Sequence, residues 1–253
     1  MYNGLEARLH DTFWQQEEPS AELNLLEKFL QKHPGTALEL GCGSGRLLLN
    51  LIKKGFFIEG LDNSTEMLAS CQKNAHDLSP TLHLADISNF NTRTTYSAIT
   101  IPAFTLQFIP PDQLPIVLQN IQNHLHPGGG LYITTFIPWA EITGELEEDI
   151  WYPDHETALD DSTIASCETR FLIKRISQQL QREHRYKITD KSGKTLESST
   201  SNHLLHWLWP NELTRILNQA GFSITQTIGD FESNQTCDEN AHIITYYTQT
   251  DSH

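Results

Sequence analysis

The apolar positions of the chain gather into seven short runs, at residues 36–40, 56–61, 81–85, 96–101, 130–137, 222–228 and 242–248. Each has the length of a strand and is too short for a helix. Between them the period changes. Residues 46–54, 112–126 and 210–220 carry apolar side chains at helical spacing, and the first and last of these stop at Gly55 and Gly221, natural C′ residues. Asn63, with Glu66 three residues on, reads as an N-cap and its return partner for a further helix. Strands that alternate with helices predict an α/β fold, a doubly wound, mostly parallel sheet of seven strands in the Rossmann-like manner.

One stretch breaks the alternation. Residues 139–162 hold Trp139, Trp151, Tyr152 and many acids with little period. Residues 171–177, 179–189 and 195–207 then read as strands, the last two joined by the turn sequence at 190–194. This predicts an antiparallel insert after the fifth strand. The expected organisation is a core of residues 1–138 and 205–253 with a subdomain at 139–204. Such an insert serves either as a lid that selects substrate or as a dimerisation surface.

The most informative turn follows the first strand, where Glu39-Leu40-Gly41-Cys42-Gly43-Ser44-Gly45-Arg46 places three glycines at alternate positions. Without Cβ atoms they let a ligand lie against the backbone and the start of the next helix. A Walker loop would need Gly-Lys-Ser/Thr at its end, and a dinucleotide loop would need its third glycine at the Arg46 position. The second strand ends at Asp62, placed to accept both hydroxyls of a ribose. The third ends at Asp86-Ile87, and the fourth runs to Ile101 and into Pro102-Ala103-Phe104.

Together these motifs resemble the class I S-adenosylmethionine-dependent methyltransferases, and within them small-molecule N-methyltransferases. The resemblance covers most of the chain outside 139–204, including the closing phrase from Trp209 to Phe222. It implies S-adenosylmethionine as cofactor. The residues implied to hold it are Glu39, Gly41, Cys42, Gly43, Gly45, Arg46, Asp62, Asn63, Met67, Asp86, Ile87 and Ile101. In this family Met67 would lie over the adenine and Asp86 would accept from its amine. Many members have an acid where this chain has Ser97.

Composition narrows the partner. Seventeen Lys and Arg stand against 32 Asp and Glu, for a formal charge of −15. That opposes nucleic acid and anionic membrane as partners, and leaves a small-molecule substrate as the expected acceptor. No Pro-Cys dipeptide suggests a cytosine-directed thiol. The four cysteines form no C-x-x-C pair, and residues 1–11 lack an apolar signal core. A cytoplasmic location and no metal site are expected. The Asn63 and Asn234 sequons then carry no meaning for glycosylation.

Methyl transfer from a sulfonium is an in-line displacement, so the protein chiefly supplies alignment and excludes water. A neutral amine acceptor needs no strong base. His155, beside Asp154, and His206 are the candidate bases, with His203 and His206 three apart in a strand and so on opposite faces. Trp14, Phe104, Trp139, Trp151 and Tyr152 are candidates for an aromatic box around an amine substrate. The alternatives to a small-molecule enzyme are a protein methyltransferase with an open acidic groove and a non-catalytic cofactor-binding regulator. A homodimer fits either use of the insert.

Overall fold

A computed structural model describes residues 2–14, 21–159, 162–232 and 237–250. In chain order the elements are α1 (Gly4–Trp14), α2 (Ala21–Lys32), β1 (Ala37–Leu40), α3 (Leu48–Lys53), β2 (Ile58–Asp62), α4 (Thr65–Asn74), β3 (Leu82–Leu84) and β4 (Tyr96–Ile101). A 3-10 turn (Thr105–Phe108), α5 (Leu114–Asn123), β5 (Leu125–Phe136) and α6 (Trp139–Thr143) follow. Then come β6 (Tyr152–Ala158), β7 (Ile164–Lys174), β8 (Gln179–Thr189), β9 (Thr195–His206), α7 (Pro210–Gln219), β10 (Phe222–Gly229) and β11 (Ile243–Thr250). The chain forms two compact units, one of Pro19–Ile137 with Trp207–His253 and one of Met1–Glu18 with Pro138–His206.

The first unit is built on a seven-stranded sheet in the order β10-β11-β5-β4-β1-β2-β3. The pairs from β5 to β3 are parallel, and β11 runs antiparallel to both β5 and β10. β1 is buried at all four positions, as a central parallel strand covered on both faces must be. Helix α2 turns Leu23, Leu26, Phe29 and Leu30 into the core. The Phe29 ring meets Tyr132 at 5.6 Å and Tyr247 at 5.0 Å. The Tyr247 hydroxyl donates to the Leu25 carbonyl at 2.6 Å, so this buried ring keeps its polar end satisfied. The strand order reverses between β4 and β2 around β1. That switch point is where an open α/β sheet leaves a crevice at its carboxyl edge.

The second unit is a four-stranded antiparallel meander, β6-β7-β8-β9, with α1 laid on one face. Leu5, Leu9 and Phe13 are spaced four apart and so form one stripe of α1. They bury against Ala165, Cys167, Tyr186 and Ile188, which alternate along β7 and β8. Each of Leu5, Leu9 and Phe13 contributes about 1.5–3 kcal/mol by leaving water. The opposite face is laced by charge. Glu168 lies opposite Arg185 and Arg170 opposite Glu183 in the ladder, and each pair is closed by an ion pair.

Several boundaries differ from those the sequence suggests. The N-cap of α4 is Ser64, not Asn63: the Ser64 hydroxyl accepts from the Met67 N–H at 3.2 Å. Helix α5 stops at Asn123 rather than at 126, because β5 begins at Leu125 and takes His126 to Gly129 into the strand. Arg46 precedes the helix, which opens at Leu48. The insert has four strands instead of three. No helix among the described residues is long and apolar enough to cross a membrane.

Candidate functional site

The turn after β1 is fixed by close approaches that only glycine permits. Gly41, Gly43 and Gly45 have φ of 75°, 54° and 89°, in the region that L side chains rarely adopt. A Cβ at Gly41 would strike the Thr105 side chain at 2.5 Å, and one at Gly45 would strike Cys71 Sγ at 2.6 Å. The Gly43 N–H donates to Asp62 Oδ2 at 2.9 Å, and the Ser64 N–H donates to Oδ1 at 2.8 Å. Asp62 at the end of β2 is thereby oriented by two backbone groups. Each carboxylate oxygen still has acceptor capacity for a ligand hydroxyl. Met67 is buried on α4, with its Cε 3.2 Å from where a Gly43 Cβ would stand.

At the end of β3, Asp86 Oδ1 accepts from the Ser88 N–H and hydroxyl at 2.8 and 2.6 Å. The hydroxyl bond, aided by Asn63, holds its carboxyl below the usual range. Asn63 therefore links the loops after β2 and β3 rather than capping α4. Ile87 is half-buried beside Asp86, and Ile101 is fully buried. Ser97 is the second residue of β4, at the end of the strand away from the glycine turn.

The loop after β4 is strained. Ala103 and Phe104 are consecutive non-glycine residues with φ of 51° and 63°, each costing about 1–3 kcal/mol. The Ala103 N–H donates to Glu22 Oε1 at 3.2 Å, and the Tyr132 hydroxyl reaches the same oxygen at 3.4 Å. Gln107 grips the backbone of Phe136, donating to its carbonyl at 3.1 Å and accepting from its N–H at 2.8 Å. The Phe104 ring meets Phe136 edge-on at 5.1 Å.

Behind the glycine turn lies a buried charge cluster. Burial, and then the nearby Glu22, push the Glu39 carboxyl up to about 8, while Arg46 opposes the rise. Burial raises Glu22 as well, against its hydrogen bonds and Arg46. Burial together with Glu39 and Asp62 raises the Cys42 thiol, so Cys42 is a packed thiol and not a nucleophile. Glu22 is the residue that sequence reading missed. Its signal is a charged side chain on the apolar stripe of α2.

The remaining candidates sit in the meander unit. His155 stacks on Phe13 at 5.4 Å and lies 3.4 Å from Asp154. His206 is buried as the last residue of β9. The Trp151 ring lies under two guanidinium groups, Arg185 at 4.3 Å and Arg170 at 4.8 Å, so the chain's own cations already use it. The Tyr152 hydroxyl accepts from the Glu147 N–H at 2.9 Å. Trp139 opens α6 and is half-buried. Trp14 ends α1, and its side chain lies outside the described residues, as does Asn234.

The inner face of the meander also buries polar groups that the sequence spacing did not associate. His203 Nε2 meets Glu6 Oε1 at 2.6 Å, and the Ser201 and Tyr186 hydroxyls donate to the same oxygen. Burial raises the Glu6 carboxyl, but the hydrogen bond and charge of His203 and the Ser201 bond outweigh it. The Thr169 hydroxyl donates to Asp154 at 2.8 Å, so His184 Nδ1, at 2.8 Å, carries the proton and donates to Thr169. Burial lowers His184 to about 4. Asp154, Cys167 and His184 bring donor atoms within 4.8 Å of one another, from three neighbouring strands.

A family described as a methyltransferase domain, Methyltransf_25, matches residues 37–129. A carboxy-S-adenosyl-L-methionine synthase of Vibrio parahaemolyticus is 30% identical over 135 residues, 50% of this chain and 54% of that protein. The chain spans about half the length of the curated relatives it matches. An S-adenosylmethionine-dependent methyltransferase of Clostridium acetobutylicum superposes with a TM-score of 0.76 over 97% of both chains at 20% identity. The sugar N-methyltransferase KedS8 of Streptoalloteichus superposes with a TM-score of 0.75 at 16% identity, over 99% of this chain and 96% of that one. Residues 37–129 thus match a methyltransferase domain, and the chain shares its fold with S-adenosylmethionine-dependent methyltransferases.

Proposed function

We propose that the chain transfers a methyl group from S-adenosylmethionine to the amine nitrogen of a small molecule. The observation that carries the cofactor assignment is the Asp62 carboxylate, held by the Gly43 and Ser64 N–H groups at the carboxyl edge of adjacent strands. Such an acceptor suits the two hydroxyls of a ribose. The glycine turn would take the sulfonium side, and Asp86 with Ile87 the adenine. The methyl group arrives already activated, so the protein's share is alignment of the acceptor lone pair with the carbon–sulfur bond. A sugar N-methyltransferase and an amino pentose methyltransferase among the structural neighbours favour an amine. That support is one of fold and says little about the individual acceptor.

The names of the sequence relatives favour a second reading, production of the carboxylated cofactor. An added carboxylate needs a cation to receive it. Arg46, the cation beside the glycine turn, already offsets the buried Glu22 and Glu39 electrostatically, which weighs against this reading. Calorimetric titration with S-adenosylhomocysteine should show one site, and methyl-labelled cofactor should label an amine such as an amino sugar. Binding of a nicotinamide dinucleotide in its place would overturn the cofactor assignment. Mass spectrometry of the nucleoside recovered after turnover would reveal a carboxylated product and so the second reading.

A further inference from the structure

We infer that Glu22 is a positioning residue for the cofactor, holding the left-handed corner at Ala103–Phe104 in place beside the glycine turn. The inference rests on the cofactor reading above. With the ribose at the end of β2 and the adenine at the end of β3, the sheet order β4-β1-β2-β3 leaves the rest of the cofactor over β1 and toward β4. The loop that meets it there is the corner after β4.

That corner is gripped on each side. The bare Gly41 position receives the Thr105 side chain, which brings the β1 and β4 loops into contact. Gln107 ties the following turn to Phe136. The strained residues themselves are held by Glu22, which accepts the Ala103 N–H. Positive φ at two successive side-chain-bearing residues strains the corner, and the part-buried Ala103 N–H finds its acceptor in Glu22. Glu22 is 2% exposed, on a helix face otherwise made of Leu23, Leu26 and Phe29. A leucine there would serve α2 packing better, since a buried carboxyl costs solvation that an apolar isostere does not.

The test compares Glu22→Leu, Glu22→Gln and the double variant Glu22→Leu/Ala103→Gly in the full chain. Calorimetry measures affinity for S-adenosylhomocysteine, and thermal unfolding measures stability. Glu22→Leu should remain folded yet bind about tenfold or more weakly, having lost the acceptor for the Ala103 N–H. Glu22→Gln keeps an acceptor oxygen and should bind within about threefold of the parent. In the double variant glycine takes the left-handed conformation freely, so affinity should recover by about threefold or more. A structural role for Glu22 predicts unchanged binding in a folded Glu22→Leu protein, or strictly additive effects, and either result overturns the inference. Should Glu22→Leu fail to fold, Glu22→Asp, one methylene short, replaces it. It should bind about tenfold more weakly while folded, and parent-like binding overturns the proposal. A parent that binds no S-adenosylhomocysteine would instead overturn the cofactor reading itself.

Discussion

The Gly43 N–H and the Asp62 carboxylate, 19 residues apart in sequence, meet at 2.9 Å. A residue with no side chain and an acid at the end of the next strand thus form one unit. Asp62→Ala should weaken S-adenosylhomocysteine by about 1–3 kcal/mol, because two ribose hydroxyls lose a charged acceptor. Gly43→Val should do at least as much harm: its φ of 54° is strained for valine, and Met67 stands 3.2 Å from the new Cβ. Titration calorimetry on folded variants checks both. Parent-like affinity in both would mean that this turn does not hold the cofactor.

Glu39 makes the sheet unit sensitive to base. Its carboxyl is raised from 4.5 to about 8 when folded. Between those values the folded chain holds a proton that the unfolded chain has released, so stability falls as pH rises through this window and levels off above it. Buried Glu22 acts in the same direction. Glu39→Gln should flatten the fall. Denaturant melts from pH 5 to 9 measure it, and a parent whose stability does not change over that range contradicts the burial argument.

His184 gives the meander unit the opposite sensitivity. Burial lowers it from 6.5 to about 4. Below 6.5 the unfolded chain takes up a proton that the folded chain refuses, so stability is lost as pH falls across the window. His184→Gln should remove most of this acid sensitivity. Hydrogen exchange at the β7 and β8 amides, read at pH 7 and pH 5, reports the meander apart from the sheet.

Gly45 is a packing position as well as a turn. Gly45→Ala faces a φ of 89°, Cys71 Sγ at 2.6 Å and Leu49 Cγ at 2.8 Å. We expect a loss of about 2–4 kcal/mol from backbone strain and overpacking together. Adding Cys71→Ala should restore part of it, and urea melts of the single and double variants give the coupling.

The strands of the large sheet are legible because a strand buried on both faces reads as a continuous apolar run, and β1 and β2 are bounded by glycine and acid. Their carboxyl ends carry the proposed cofactor residues for the same reason. β6 is different: Tyr-Pro-Asp-His-Glu-Thr-Ala alternates poorly and contains a proline, and only pairing with β7 makes it a strand. α1 has a clear stripe at Leu5, Leu9 and Phe13, yet its partners lie in β7 and β8, more than 140 residues along the chain. Ser64 displaced Asn63 as the cap because Asp62 fixes the Ser64 N–H and so the phase of the helix start. Glu22 could not be assigned from sequence, since its partner is a strained N–H that no local pattern encodes.

The order β10-β11-β5 has a consequence for biosynthesis. β5 leaves the ribosome more than a hundred residues before β11. Until β11 arrives, one edge of β5 has no partner, and unpaired strand edges invite association with other chains. Tyr132, Thr134 and Tyr247 reach their final burial only when that late strand slides between β5 and β10. A nascent chain can assemble the glycine turn and Asp62 early, but the sheet that supports them closes last. Pairing of β11 is thus the step that removes the open edge of β5.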